Sequence, residues 1–166
     1  SIKAAITEQL DRLPFYNSFF NCTTDSTLRL ADRMTAILPA AFNHVFFTNS
    51  GSEANDTNIR LVHRYFDLLD QPQKKHIIAR TNGYHGSTIG SASLGGMKGM
   101  HDQMQCLPYV HHVEQPYSFP HLGAQTAEEI GQQAAQSLAD KIDALGPENV
   151  AAFIAEPIQG AGGVII

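Results

Sequence analysis

Several things that would assign a function at once are scarce or missing in this sequence. Its 11 lysines and arginines are outnumbered by 16 aspartates and glutamates, for a formal net charge of −5. The cations are scattered, with Lys74-Lys75 as their longest run, so the chain has no electrostatic footprint for nucleic acid. Cysteine is confined to Cys22 and Cys106, far apart and without metal-ligand spacing. Two such thiols fit a reducing cytosol better than a disulfide framework. His111-His112 and the other histidines also lack the spacing of a metal site, and no metal is expected. No apolar stretch approaches the roughly 18 residues of a membrane span, and no signal peptide is read at the start. The expectation is a cytoplasmic protein with neither membrane nor nucleic acid as partner. Asn21-Cys22-Thr23 and Asn55-Asp56-Thr57 match the glycosylation triplet and are discounted for want of a secretion signal.

What is present fits one sizeable core. At 166 residues and 43% hydrophobic content, such a chain buries roughly 70% of its unfolded surface. Ile2, Ile6, Leu10 and Leu13 mark a helical stripe. "PFYNSFFNCTT" reads as an ordered loop, and Leu28, Leu30, Ala31, Met34 and Leu38 mark a second helix stopped at Pro39. "HVFFTN" reads as a short strand, followed by a helix to about Leu69 that Ser52 could cap. "KHIIAR" is a second strand, "YVHHV" a short third, and "STIGSASLGG" a helix candidate after Gly86. Residues 82 to 126 are otherwise hard to assign, being rich in Gly, His, Pro and Tyr. Residues 126 to 145 form a helix with Ile130, Ala134, Leu138, Ile142 and Leu145 in phase, and "VAAFIAE" is a continuous apolar strand. Strands alternating with helices predict an α/β fold whose largely parallel sheet is covered on both faces. The chain opens on helix without methionine and stops on an apolar run, so it is expected to be an internal fragment.

Three junctions could carry chemistry. "FFTNSGSEANDT", residues 46 to 57, feeds a Ser-Gly-Ser turn into a helix. Such a junction seats a phosphate on free backbone N–H groups, or is simply a helix cap made by Ser50 or Ser52. It is not a Walker loop, since no Gly-Lys-Ser/Thr follows. "NGYHGST", residues 82 to 88, places Tyr84 and His85 between glycines, where a ring could stack on a planar cofactor or just occupy a surface turn. "AEPIQGAGG", residues 155 to 163, puts Glu156 at a strand end, where open parallel sheets bind ligands, although it could be a solvated terminus. The dinucleotide glycine pattern fails there, no Gly-x-Ser-x-Gly elbow supports a serine nucleophile, and Lys3, Lys74, Lys75, Lys98 and Lys141 all sit in polar surroundings.

In this order, "FFTNSGSEANDT", "NGYHGSTIGSASLGGM" and "AAFIAEPIQGAGGV" resemble three successive signature blocks of class III pyridoxal-phosphate aminotransferases of fold type I. "PFYNSFF" resembles the segment that precedes them. The likeness covers nearly the whole chain and is nearest the branch that moves amino groups from ω-amino acids, amines or diamines to pyruvate. It implies pyridoxal 5'-phosphate as cofactor, ping-pong transamination, and a homodimer with the active site at its interface. It further implies that Gly51 and Ser52 hold the phosphate, that Tyr84 stacks on the pyridine ring with His85 beside it, and that Glu156 lies near that ring. Phe19 and Phe20 would line a substrate pocket, that of the neighbouring subunit, with Tyr84 beside the substrate and Ala161 at the floor. Residues 1–40 would lead into the large domain and 41–166 would be its first part. The lysine that carries the cofactor as a Schiff base is expected beyond Ile166, so no catalytic residue is assigned here and the fragment is expected to be inactive alone. An aminomutase, racemase or decarboxylase of the same family, or a non-catalytic homologue acting as a binding or assembly module, are the alternatives.

Overall fold

The computed structural model describes residues 1–117 and 125–166. The Gly-, His- and Pro-rich stretch from 82 to 126 therefore includes a piece, 118–124, that lies outside the described residues. The chain forms two compact units, Ser1–Phe47 and Thr48–Ile166.

In the first unit the helical stripe becomes α1 (Ile2–Arg12), with the Ser1 hydroxyl accepting the Ala4 N–H at 3.3 Å. Thr24 caps α2 (Asp25–Ile37) by accepting the Thr27 N–H. Leu38 is extended, as steric clash with the following Pro39 requires. Residues 44–49, expected as a strand, form none. Their apolar run has no ladder partner among the described residues, and Phe46 is 74% exposed. An apolar run specifies readiness to pair; an extended backbone becomes a strand only when its N–H and C=O groups find a second one.

The second unit is built on a three-stranded sheet in the order β2-β1-β3. β1 (His76–Arg80) pairs in parallel with β2 (Val110–Val113) from Ile77↔Val110 to Arg80↔Val113. It also pairs in parallel with β3 (Val150–Phe153), with an irregularity between His76 and Ile77. Ile77, Ile78 and Ala79 are consecutive and all buried. Neighbours along a strand point to opposite faces, so β1 is covered on both, as its unbroken apolar run predicts. α3 (Gly51–Leu68) packs on β3, while α6 (Ala127–Leu145) packs on β2. Ile59 of α3, Ile77 of β1 and Leu94 of α4 (Ile89–Leu94) form the core, with Tyr109, Val110, Ala152 and Ile154 packed against them.

Boundaries moved where local chemistry decided them. Thr88 caps α4, so this helix starts later than the glycine-bounded stretch suggested. A short α5 (Lys98–His101) follows, with no counterpart in the periodicity. α6 opens on a full capping box, Thr126 taking the Glu129 N–H while Glu129 accepts from Thr126 N at 2.7 Å. Those hydrogen bonds to Thr126 hold the Glu129 carboxyl below the usual carboxylate range. β3 ends at Phe153 rather than at the glutamate; Ile154 N still donates to Ile78 O at 2.9 Å, after which the chain leaves the sheet. Because Ile78 is fully buried on the central strand, Ile78→Ala is expected to cost about 2–5 kcal/mol, read as a lower midpoint in urea denaturation with an unchanged slope.

Candidate functional site

The Ser-Gly-Ser turn divides its work between its two serines. Ser50, in extended conformation, is the N-cap of α3, its hydroxyl accepting the Glu53 N–H at 3.2 Å. Glu53 reaches back to accept the Asn49 N–H at 2.8 Å, a close relative of the capping box. The expectation that Ser52 caps the helix is thus corrected. The N-cap needs extended φ/ψ, which Ser50 adopts at φ −156° and ψ 159°, while Ser52 lies inside the first turn. Its hydroxyl oxygen instead accepts the Ser87 N–H at 3.0 Å. The Gly51 and Ser52 N–H groups have no hydrogen-bond partner among the described residues. A Cβ on Gly51 would meet open space. Capping and anion seating therefore do not compete, because the cap uses Glu53 N–H and leaves the first two helical N–H groups at the positive end of the helix dipole.

The loop that carries Tyr84 is laid across the first two turns of α3 by polar contacts. Asn55 Nδ2 donates to His85 O at 2.7 Å, Ser91 N donates to Asp56 Oδ1 at 3.1 Å, and Ser91 Oγ donates to Ser52 O at 2.8 Å. Gly86 makes the approach possible. Its φ is +134°, and a Cβ there would lie 2.5 Å from Ser52 Oγ and 2.7 Å from Ser91 Cβ.

Glu156 joins this loop to the one after β3. One carboxylate oxygen accepts the Tyr84 N–H at 2.8 Å and the other accepts the Gly160 N–H at 3.0 Å. Its own carbonyl is held by Arg80 Nη1 at 3.1 Å. On the far side, Gly96 N donates to Gly83 O at 2.9 Å, and Asn82 N donates to Gly96 O at 3.0 Å. The Tyr84 ring remains half-exposed. His85 Nε2 is buried without a hydrogen-bond partner among the described residues. Burial pushes the His85 imidazole down from its ordinary pKa; Glu156 opposes this and His112 reinforces it. The ring is held neutral, with an open polar atom beside Gly83, where a Cβ would lie 3.4 Å from His85 Nε2 and 3.8 Å from Glu156 Oε1.

Within the second unit Tyr84 and Glu156 are joined by a direct hydrogen bond, while Ser52 and His85 are tied to the same loop and helix through Ser87 and Asn55, and Gly51 precedes Ser52 in the first turn. Ala161 lies in the exposed turn that starts at Gly160, where Val164 N returns to Gly160 O at 3.0 Å. A Cβ on Gly162 would meet Asn82 O at 2.6 Å, so that turn lies against the Tyr84 loop. Phe19 and Phe20 belong to the first unit and are 72% and 93% exposed. Asn55, Asp56, Gly86, Ser91 and Gln159 were not singled out from the sequence. For the first two a signal existed: Ser52, Asn55 and Asp56 continue toward the N-terminus the stripe of Ile59, Val62 and Phe66, so the buried face of α3 turns polar at its open end. Among the described residues no helix is long and apolar enough to cross a membrane, and no group of His, Cys, Asp and Glu could hold a metal.

An open helix N-terminus, a hydroxyl and a half-exposed ring are gathered in an α/β domain near the ends of its parallel strands, the place where open parallel sheets bind ligands. Residues 1–166 match the family described as Aminotransferase class-III, and the chain belongs to that family. Its members depend on pyridoxal phosphate, and the open N–H groups, the Ser52 hydroxyl and the unpartnered His85 Nε2 fit that cofactor's anionic and polar periphery. A putrescine–pyruvate aminotransferase of Pseudomonas aeruginosa is 52% identical over 163 residues, 98% of this chain and 36% of the relative. A mitochondrial gamma-aminobutyrate transaminase of Oryza sativa is 48% identical, over 99% of this chain and 32% of the relative. The omega transaminase of Pseudomonas jessenii, solved in complex with PMP, superposes with a TM-score of 0.93 at 43% identity, covering 99% of this chain and 37% of that one. The fold is that of fold type I transaminases, and the chain spans about a third of the length of these relatives.

Gly86→Ala combines a positive φ with a clash against α3. It is expected to destabilise the protein by about 1–3 kcal/mol or more and to detach the Tyr84 loop, read as faster amide exchange at residues 84–91. A second prediction concerns pH. Burial lowers the pKa of His85, His111 and His112 below the ordinary 6.5. The unfolded chain then binds protons more readily than the folded one below that value. The thermal midpoint should be level just above pH 6.5 and should fall as the pH drops toward the folded values, with His112→Gln flattening the fall.

Proposed function

We propose that this chain is the phosphate- and ring-gripping part of a pyridoxal-phosphate-dependent transaminase that moves an amino group from an amine, diamine or ω-amino acid to pyruvate. One observation carries the reading: the Ser87 N–H on Ser52 Oγ, which joins the free first turn of α3 to the loop bearing Tyr84. The donor and acceptor classes are supported by the 52% identity to a putrescine–pyruvate aminotransferase. The intact enzyme works as a homodimer in the cytoplasm. The exposed Phe15, Phe19 and Phe20 support the dimer, and two unpaired cysteines support a reducing compartment.

Bound pyridoxal phosphate supplies an electron-accepting ring that eases loss of a proton beside the donor nitrogen. The chain's own residues hold that group in place. The Gly51 and Ser52 N–H groups would donate to phosphate oxygens, and the Ser52 hydroxyl, whose oxygen takes the Ser87 N–H, would donate its own hydrogen to the phosphate. Tyr84 would stack on the pyridine ring, and His85, whose Nε2 is buried without a partner among the described residues, would lie beside it. Glu156 fixes the Tyr84 backbone and stands near the ring, where it orients the acidic partner of the pyridine nitrogen. Ala161 forms the floor of the substrate pocket, and Phe19 and Phe20 wall the pocket of the neighbouring subunit.

In the full-length protein, Ser52→Ala removes one charge-assisted hydrogen bond worth about 1.5–3 kcal/mol and is expected to weaken pyridoxal phosphate about 10- to 100-fold. Tyr84→Ala should weaken it about 3- to 10-fold and shift the visible absorption band. Alanine formation from pyruvate and putrescine should fall with both. Unchanged affinity in both variants would remove the assignment of the seat, and wild-type protein that consumes no pyruvate with any amine would remove the reaction.

A further inference from the structure

Groups just beyond the ends of two parallel strands meet one side chain from the loop after the third. Thr81 follows β1, Gln115 lies just after β2, and Gln159 lies in the loop after β3. Gln159 is 2% exposed, and its Nε2 donates to Thr81 O at 3.1 Å and to Gln115 Oε1 at 3.0 Å. A carbonyl can only accept, so the contact with Thr81 fixes which end of the amide faces the sheet. The other end, Oε1, is buried without a hydrogen-bond partner among the described residues. The Gln159 backbone is pinned as well, exchanging hydrogen bonds of 2.8 and 3.0 Å with the buried Ile165.

Both neighbours of this clamp carry the site. Thr81 is followed by Asn82, in left-handed conformation at φ 59°, then by Gly83 and Tyr84. Gln159 is followed by Gly160, whose N–H holds the Glu156 carboxylate. We propose that Gln159 is a positioning residue of the cofactor site, its carboxamide setting the separation between the loop that presents Tyr84 and the loop that presents Glu156. This rests on the reading of those loops as the cofactor's cradle. Stability alone does not ask for a glutamine here. A buried amide with one atom unpaired is a poor stabiliser, and an apolar side chain of the same length would fill the space. An apolar chain cannot hold Thr81 O and Gln115 Oε1 on one nitrogen.

The test uses the full-length protein with Gln159→Met and Gln159→Glu, measuring the dissociation constant for pyridoxal phosphate, the circular dichroism of its bound visible band, and the thermal midpoint without cofactor. Gln159→Met is expected to keep most of the cofactor-free stability while weakening the cofactor about tenfold and reducing the dichroic band. Gln159→Glu places a carboxylate against the Thr81 carbonyl at high pH and a hydrogen-bond donor there once protonated. Its affinity relative to wild type at the same pH should therefore recover on acidification, which a purely structural role would not produce. Affinity and dichroism unchanged in both variants, or a loss that follows cofactor-free stability and ignores pH, would overturn the proposal. If Ser52→Ala and Tyr84→Ala weaken the cofactor while the Gln159 variants do not, this inference alone fails. If wild-type protein does not bind pyridoxal phosphate, the reading of the cradle fails and takes this inference with it.

Discussion

Two backbone N–H groups from separate loops share the carboxylate of Glu156, Tyr84 on one oxygen and Gly160 on the other. That arrangement needs the ends of β1 and β3 side by side and pointing the same way. A parallel pair provides this, since its connecting helix returns the chain to the same starting edge. The register Ile78↔Phe153 sets how far each strand runs before its loop leaves. Ile77, Ile78 and Ala79 are all buried, so a one-residue slip would bring side chains of different volume against both close-packed layers. Core packing and site geometry are therefore one constraint: the residues that bury β1 also decide where Glu156 stands relative to Tyr84.

The open end of α3 follows the same economy at a smaller scale. A helix terminus that spends all its free N–H groups on caps cannot take an anion, and one that spends none frays. Ser50 and Glu53 satisfy Glu53 N–H and Asn49 N–H, which orders the entry to the helix. Gly51 and Ser52 N–H groups stay available. The groups at this turn carry no formal positive charge, so an anion held there would rest on oriented backbone dipoles and a hydroxyl. Such a seat needs its walls close by. Gly86 supplies that closeness, as no side chain fits between it and Ser52.

How much of this was legible depended on whether a feature is local. The helices carried their stripes and caps in contiguous residues, and β1 announced its burial by an unbroken apolar run, whereas the equally unbroken run of β3 is only half-buried and ends on the exposed Phe153. The three site loops were visible because glycine, serine and tyrosine cluster where strands stop. Features that depend on a partner distant in sequence were not visible. "HVFFTN" has the composition of a strand but no neighbour to pair with among the described residues. The choice between Ser50 and Ser52 as cap turns on backbone angles, and Ser52 is spoken for by Ser87 across the loop. Gln159 sits in a motif of the right kind, yet its importance lies in touching Thr81 and Gln115 at once, which no spacing within "AEPIQGAGG" encodes.

The histidines extend the argument behind the ring loop. His101 and His112 both aim Nε2 at Gly95 O, each at 2.7 Å. Since a carbonyl only accepts, both nitrogens carry their hydrogens, and Gly95 O receives two imidazole donors. Gly95 is thereby fixed, Gly96 N–H reaches Gly83 O, and the residue before Tyr84 is held from one side while Glu156 holds Tyr84 from the other. A lysine could donate to the same carbonyl only by bringing an unpaired charge into a half-buried place, at a desolvation cost that a neutral imidazole avoids. Burial lowers the His112 pKa, with the Gly95 hydrogen bond opposing and His101 reinforcing. His112, which helps to stiffen this loop, is thus also a group whose burial disfavours its protonated form, so the hold on the Tyr84 loop and the expected response of the fold to acid meet in one side chain.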